Sequence, residues 1–181
     1  MGRPKTYDRD DVARRAMPVF WQRGYEGTKI QHLEDALEIN RYSLFAEFGN
    51  KQGMFEAALD TYEADVVTPN LAPLEHECAS PEAVVTMFER LRFPTAEVDS
   101  AGCMLCNASL EQLPGTQERV TAYFERLRSA FQNALSVDEA SAAATTSAVI
   151  GAYVQIRHGM SEDARNAMVD GLLGLVDAVR P

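Results

Sequence analysis

Much that a chemically active chain would carry is scarce or absent in this sequence of 181 residues, which has three cysteines, three histidines and one tryptophan. The odd number of cysteines, Cys78, Cys103 and Cys106, argues against a secreted disulfide framework and for reduced thiols. No HExxH zinc motif and no glycine-rich phosphate loop occurs, His76 and the cysteines lack standard zinc-finger spacing, and nothing points to a Ser-His-Asp triad. No metal, no cofactor and no enzymatic activity is therefore expected. No apolar run approaches the ~18 uninterrupted residues of a membrane span, so no membrane partner is expected either. Met1-Gly2-Arg3-Pro4-Lys5 leads into Asp8, Asp10 and Asp11 where a signal peptide would have its apolar stretch, which makes a cytoplasmic location the expectation. Strand signals are nearly absent, so the expected fold class is all-α.

What is present is ordinary for a globular protein: 46% hydrophobic and 24% charged residues. A chain of this size buries ~70% of its extended surface and needs no covalent staple. Its net charge of -10 is unevenly distributed. Residues 1–60 hold nine of the 17 Lys+Arg and ten of the 27 Asp+Glu, leaving eight basic against 17 acidic groups beyond them. All three lysines, Lys5, Lys29 and Lys51, lie in the first 51 residues. A near-neutral, lysine-bearing head on an acidic body permits contact with a polyanion at one end and repels it elsewhere.

Helix starts recur along the chain, each with a mechanism. Asp8 caps a helix whose Val12, Ala13, Ala16, Met17, Phe20 and Trp21 share one face, with Pro18 expected to kink it near Arg14 and Gly24 to end it soon after. Thr28-Lys29-Ile30-Gln31 has the form of a capping box opening a short helix with Ile30, Leu33, Ala36 and Leu37 inward. Asn40 caps another, ending at Gly49, and Asn50 caps a longer one ending before Pro69. Residues 69–80 read as a loop. Ser80-Pro81-Glu82 starts a helix to about residue 93, and 94–102 is a further loop. Helices over about 103–113, 116–135, 139–158 and 161–179 bring the total to nine.

The two short helices are joined by Glu38, Ile39 and Asn40 alone and follow an amphipathic helix. This is the pattern of a helix-turn-helix, whose second helix enters the DNA major groove. With Leu44 inward at ~100° per residue, Tyr42 and Ala46 fall on the opposite side, flanked by Ser43 and Phe45. Aromatics on an outward arc are costly against water and useful against thymine methyls and sugar edges. Arg41 is in reach of a guanine edge or a phosphate. Thr28, Lys29 and Lys51 stand at helix N-termini, which suit phosphates. An ordinary helical hairpin with two half-buried aromatics has the same pattern.

Residues 3–62 resemble the DNA-binding head of TetR-type transcriptional repressors. The resemblance is carried by Phe20-Trp21, then Arg23-Gly24-Tyr25-Glu26-Gly27-Thr28, by Ile39-Asn40-Arg41, by Ser43-Leu44-Phe45, and by Phe48-Gly49-Asn50-Lys51. It implies a helix-turn-helix domain over 1–50 and an effector-binding and dimerisation domain over 51–181. It further implies that Thr28, Arg41, Tyr42, Ser43, Phe45 and Lys51 face DNA, with Arg3 and Lys5 as an arm. Two residues depart from the family pattern: Glu38 stands where the turn usually has glycine, and Phe45 where tyrosine is usual. Beyond residue 62 the resemblance is looser and rests on Gly102-Cys103-Met104-Leu105 with Asn107.

The family's implied partners are near-palindromic double-stranded operator DNA, a small-molecule inducer that releases it, and a second copy of the chain. The residues allow this. Ala140, Ala144, Ser147, Ala148 and Gly151 form a small-residue stripe, and Met168, Leu172, Leu175 and Val179 a second stripe at heptad-like spacing. Two such pairs make a four-helix bundle across a twofold axis, though both stripes also suit an intrachain core. Phe88, Met104, Tyr123, Phe124, Phe131 and Tyr153 are candidate walls of an inducer cavity and equally candidates for plain core. Asn107, Gln155, Arg157 and His158 are candidate polar fixtures.

Cys103-Met104-Leu105-Cys106 has redox C-x-x-C spacing without the strand that usually precedes it. Cys103, in the first turn of its helix, is a candidate thiolate facing the effector. The competing function is thus a helical redox or electrophile-responsive protein acting through Cys103 and Cys106, while the plainer reading is two buried small hydrophobes.

Overall fold

A computed structural model of the chain describes residues 7–93, 99–111, 113 and 115–179. Among the described residues there is no strand, and the helices are α1 (Arg9–Gly27), α2 (Ile30–Leu37), α3 (Arg41–Phe48), α4 (Lys51–Tyr62), α5 (Thr68–Glu75), α6 (Pro81–Glu89), α7 (Met104–Ala108), α8 (Thr116–Leu135), α9 (Glu139–His158) and α10 (Glu162–Val179). The fold is all-α. α4 passes through a π turn, Glu63–Val67, into α5, so these two form one helical stretch and nine stretches result among the described residues. The expected loop over 69–80 is therefore helical in its first half. Pro69 sits at the start of α5, directly after the π turn. Asn133 supplies the other end, its Nδ2 donating to the carbonyls of Leu74 and His76.

Two compact units divide the chain, Met1–Val66 and Val67–Pro181. The boundary lies after α4 rather than at residue 50, because α4 completes the core of the first unit against α1. Phe55 meets Phe20 edge-on with centroids 5.2 Å apart and Tyr25 at 5.3 Å, and Tyr62 meets Trp21 at 4.8 Å. Such pairs add about 1 kcal/mol each beyond the area they bury. Pro18 stays within helical dihedrals. α1 breaks at Gly24, whose φ of 71° suits glycine, before its last residues to Gly27.

In the second unit α8 is central, packing against α5, α6, α7 and α9, while α10 lies on α6 and α9. Phe88 and Phe131, both fully buried, meet at 5.8 Å where α6 crosses α8. α7 begins where Gly102 crosses α9. Its φ is +72°, and a Cβ there would lie 2.4 Å from the Tyr153 carbonyl oxygen, so only glycine fits.

Candidate nucleic-acid interface

The first unit fixes the angle between α2 and α3 through backbone groups at the helix ends. Arg15 of α1 donates from Nη2 to the Leu37 carbonyl at 2.7 Å, closing the C-terminus of α2. Glu38 then turns the chain in the left-handed region, φ 57° and ψ 33°. A side chain in that conformation costs about 1–2 kcal/mol, which the usual glycine avoids. Asn40 caps α3, its side-chain oxygen accepting from the Ser43 N–H at 3.0 Å. Glu34 reaches across from α2, its Oε1 accepting from the Arg41 N–H at 2.6 Å. Leu33, Leu37, Ile39, Leu44 and Phe48 are buried on the inner faces.

The outer face of α3 consequently carries Arg41, Tyr42, Ala46 and Glu47, all exposed, with Ser43 and Phe45 half-buried beside them. Tyr42 is 82% exposed, the most exposed large apolar side chain among the described residues. The Arg41 guanidinium lies 5.8 Å from the centre of the Phe45 ring. Lys29 is exposed at the start of α2, where its N–H donates to Nδ1 of His32 at 3.1 Å. Lys29 and His32 thus make the cap that Thr28 and Gln31 were expected to make.

Two residues expected to face DNA are turned inward. Thr28 is buried, its hydroxyl donating to the Gly24 carbonyl at 2.6 Å and its N–H to the Tyr25 carbonyl. Lys51 is half-buried; Nζ donates to the carbonyls of Tyr25 and Thr28 at 3.0 and 3.1 Å and sits 4.0 Å from the centre of the Tyr25 ring. Two of its three donors are committed, and it ties α4 to the α1–α2 turn. Arg3 and Lys5 lie outside the described residues. Sequence reading also missed Gly53, in the first turn of α4. A Cβ there would lie 2.2 Å from the Phe48 carbonyl oxygen, so its lack of a side chain permits α3 and α4 to meet.

In the second unit, the candidate effector residues are occupied by one another. Cys103 is the N-cap of α7 and donates from Sγ to the Tyr123 hydroxyl at 3.6 Å. Cys103 and Cys106 are both buried. The neighbouring Cys103 side chain, and then burial, push the Cys106 thiol far above its usual range. Burial, then the two sulfurs, push the Tyr153 phenol upward as well. The exposed thiolate that the electrophile-responsive reading requires is therefore missing. Asn107 is buried with Nδ2 on the Ala101 carbonyl at 2.9 Å, Met104, Phe88 and Phe131 are core, and Phe124 lies half-buried at 5.8 Å from the Tyr123 ring. Gln155 and His158 are exposed, and Arg157 is half-buried.

The stripes of the last two helices also shift. Leu172 is only 4% exposed and belongs, with Val169 and Val176, to the core of its own chain. Outward on α10 stand Met168, Gly171, Gly174, Leu175 and Val179, Leu175 being 44% exposed. On α9, Ala144 and Ser147 are exposed and Ala148 and Gly151 half-buried.

Residues 12–58 match the family described as bacterial regulatory proteins, tetR family. The HTH-type transcriptional repressor ComR of Escherichia coli K12 is 39% identical over 108 residues, 59% of this chain and 51% of ComR. The HTH-type transcriptional regulator YezE of Bacillus subtilis 168 is 35% identical over 130 residues, 70% of this chain and 65% of YezE. The chain thus spans about half to two thirds of the length of these curated relatives. Among solved structures, a cysteine variant of the TetR family transcriptional regulator CifR, complexed with 26-bp double-strand operator DNA, is 29% identical. It superposes with a TM-score of 0.74 over 95% of this chain and 98% of that one.

Proposed function

We propose that this chain, a member of the tetR family of bacterial regulatory proteins, is a dimeric repressor that reads operator DNA with α3 and lets go when its body takes up a small molecule. The observation that carries this reading is the outer face of α3, where Tyr42 projects almost fully into solvent from a helix held at both ends. An aromatic so exposed gains nothing in water and much against base methyls and sugars. Arg41, Ser43 and Phe45 flank it on the same helix, and Lys29 stands at the start of α2, where a phosphate is favoured. ComR is a repressor by name and CifR is solved on operator DNA, which favours repression and a duplex partner here.

Helical glycines favour the dimer. Gly151, Gly171 and Gly174 lie inside α9 and α10, where glycine costs about 1 kcal/mol against alanine, yet a Cβ at each would meet nothing within 4 Å in this chain. Close approach of a second copy explains them, with Ala144, Ala148, Met168, Leu175 and Val179 beside them. Two linked heads then reach half-sites about one helical turn apart. The aromatic cluster of α6 to α9, where Phe88 meets Phe131 and Tyr123 meets Phe124, is the natural seat of an apolar inducer.

The test is a titration of a labelled duplex, taken from upstream of the gene, with wild type and Tyr42→Ala in the presence of competitor DNA. The substitution is expected to lose about 1–3 kcal/mol of specific binding and little non-specific binding. Equal affinity in both proteins would end the assignment of α3. Gly174→Glu places a charge on the proposed helix contact and is expected to give a folded monomer with weakened binding, read by light scattering.

A further inference from the structure

We infer that Arg41 determines sequence specificity at this interface by reading a guanine edge rather than by gripping a phosphate, an inference that rests on the DNA reading above and adds a base to it. Two contacts hold the residue. Its N–H donates to Glu34 Oε1 at 2.6 Å, so the first amide of α3 already has a carboxylate. A free amide at that end of a helix attracts phosphate; an amide neutralised by Glu34 does not, and the carboxylate repels a second anion there. The guanidinium, meanwhile, lies 5.8 Å from the centre of the Phe45 ring, one turn along the same helix.

Contact with a ring uses the π surface of a guanidinium and leaves its N–H donors for other acceptors. Among the described residues, no acceptor takes a hydrogen bond from that guanidinium. Phe45 has no polar atom with which to bind DNA itself, and its role is that of a platform. An arginine so held loses less freedom on binding than one waving in solvent. The acceptor that matches a planar fork in the major groove is guanine, whose O6 and N7 lie side by side. Neighbouring Ala46 presents only a methyl group and cannot compete for those acceptors.

The experiment is selection from a random duplex library by the full chain, repeated with Arg41→Ala, Arg41→Lys and Phe45→Leu. Wild type is expected to enrich a motif with one guanine per half-site that depends on Arg41. Arg41→Ala and Arg41→Lys should each lose about tenfold preference at that base, the lysine variant keeping most affinity for the remainder of the motif. Phe45→Leu should keep the base but weaken the preference about threefold. Replacing that guanine by 7-deazaguanine should cost wild type about tenfold and Arg41→Ala nothing. An even loss across all sequences in Arg41→Ala, with base preferences unchanged, would mean a phosphate contact and overturn the inference while leaving the DNA reading intact. A wild type that enriches no sequence would remove the DNA reading, and this inference with it.

Discussion

The two units of the chain use their polar side chains in different ways. In the head, Arg15, Glu34, Asn40, Asn50 and Lys51 all satisfy backbone groups at helix ends, which fixes how α2, α3 and α4 meet. In the body, side chains bridge elements far apart in sequence. Arg126 binds both carboxylate oxygens of Glu75, and Arg92 reaches Glu89, Asp170 and the Asn166 carbonyl. Cys103 meets Tyr123 within the core. A head built largely on caps holds one helix face outward, whereas a body built on long-range contacts buries Phe88 and Phe131 where α6 crosses α8. The lesson is that local polar chemistry sets the presenting surface, and non-local packing sets the interior.

The largest effects should come from one glycine in each unit. Gly53→Ala drives a Cβ against the Phe48 carbonyl, and Gly102→Ala drives one against the Tyr153 carbonyl while also straining a positive φ. Each is expected to destabilise its own unit by about 3 kcal/mol. Amide exchange read by peptide should show lost protection within 9–62 for the first and within 99–158 for the second. The same loss in both units from either substitution would break the comparison.

Next in size is Lys51→Met. Removing the ammonium takes the Lys51 bond from the Thr28 carbonyl and leaves the Tyr25 carbonyl only the Thr28 N–H, so the head should lose about 2 kcal/mol by thermal melting. The salt dependence of DNA binding should barely change. A flattened salt slope with no change in stability would instead return Lys51 to the phosphate contacts.

The body should be more sensitive to alkali than the head. Cys106 holds its proton far above the unfolded value of about 8.5, so the folded state binds more protons than the unfolded one once pH exceeds that value. Stability contributed by the thiol is complete below about pH 8.5 and falls as pH rises, by about 1.4 kcal/mol per unit. Tyr153, shifted in the same direction, adds to the fall above about pH 10. Melting from pH 7 to 11 should show this slope reduced in Cys106→Ala. An unchanged slope would mean that the thiol is not held in the folded core.

The smallest effect should be a gain. Glu38→Gly relieves a left-handed residue and should stabilise the head by about 0.5–1 kcal/mol, with DNA binding preserved. Loss of stability would mean that the Glu38 side chain makes a contact worth more than its strain.

Legibility in the sequence follows the same division. Asp8, Asn40 and Asn50 each accept a backbone N–H at the helix start assigned to them, because a cap is decided within three residues. The outward arc of α3 was readable for a like reason, since Leu44 alone sets its phase. Three other features depended on distant partners. Lys51 turns inward because the carbonyls of Tyr25 and Thr28 lie beneath it, and nothing in its neighbours announces that. Leu172 faces its own core although heptad spacing also allowed the outer face. α5 forms although it holds Pro69 and Pro73, with Asn133 of α8 closing its far end. The thiols illustrate the same limit, since C-x-x-C spacing cannot say whether a helix start is open or buried.

Amide exchange of the full chain with and without a selected duplex tests the central claim most directly. If α3 presents the reading surface, exchange should slow over 40–48 and at the start of α2 in wild type, and the slowing should disappear in Tyr42→Ala at matched concentration. Slowing confined to residues 67–179, or bound duplex with no change over 40–48, would contradict it.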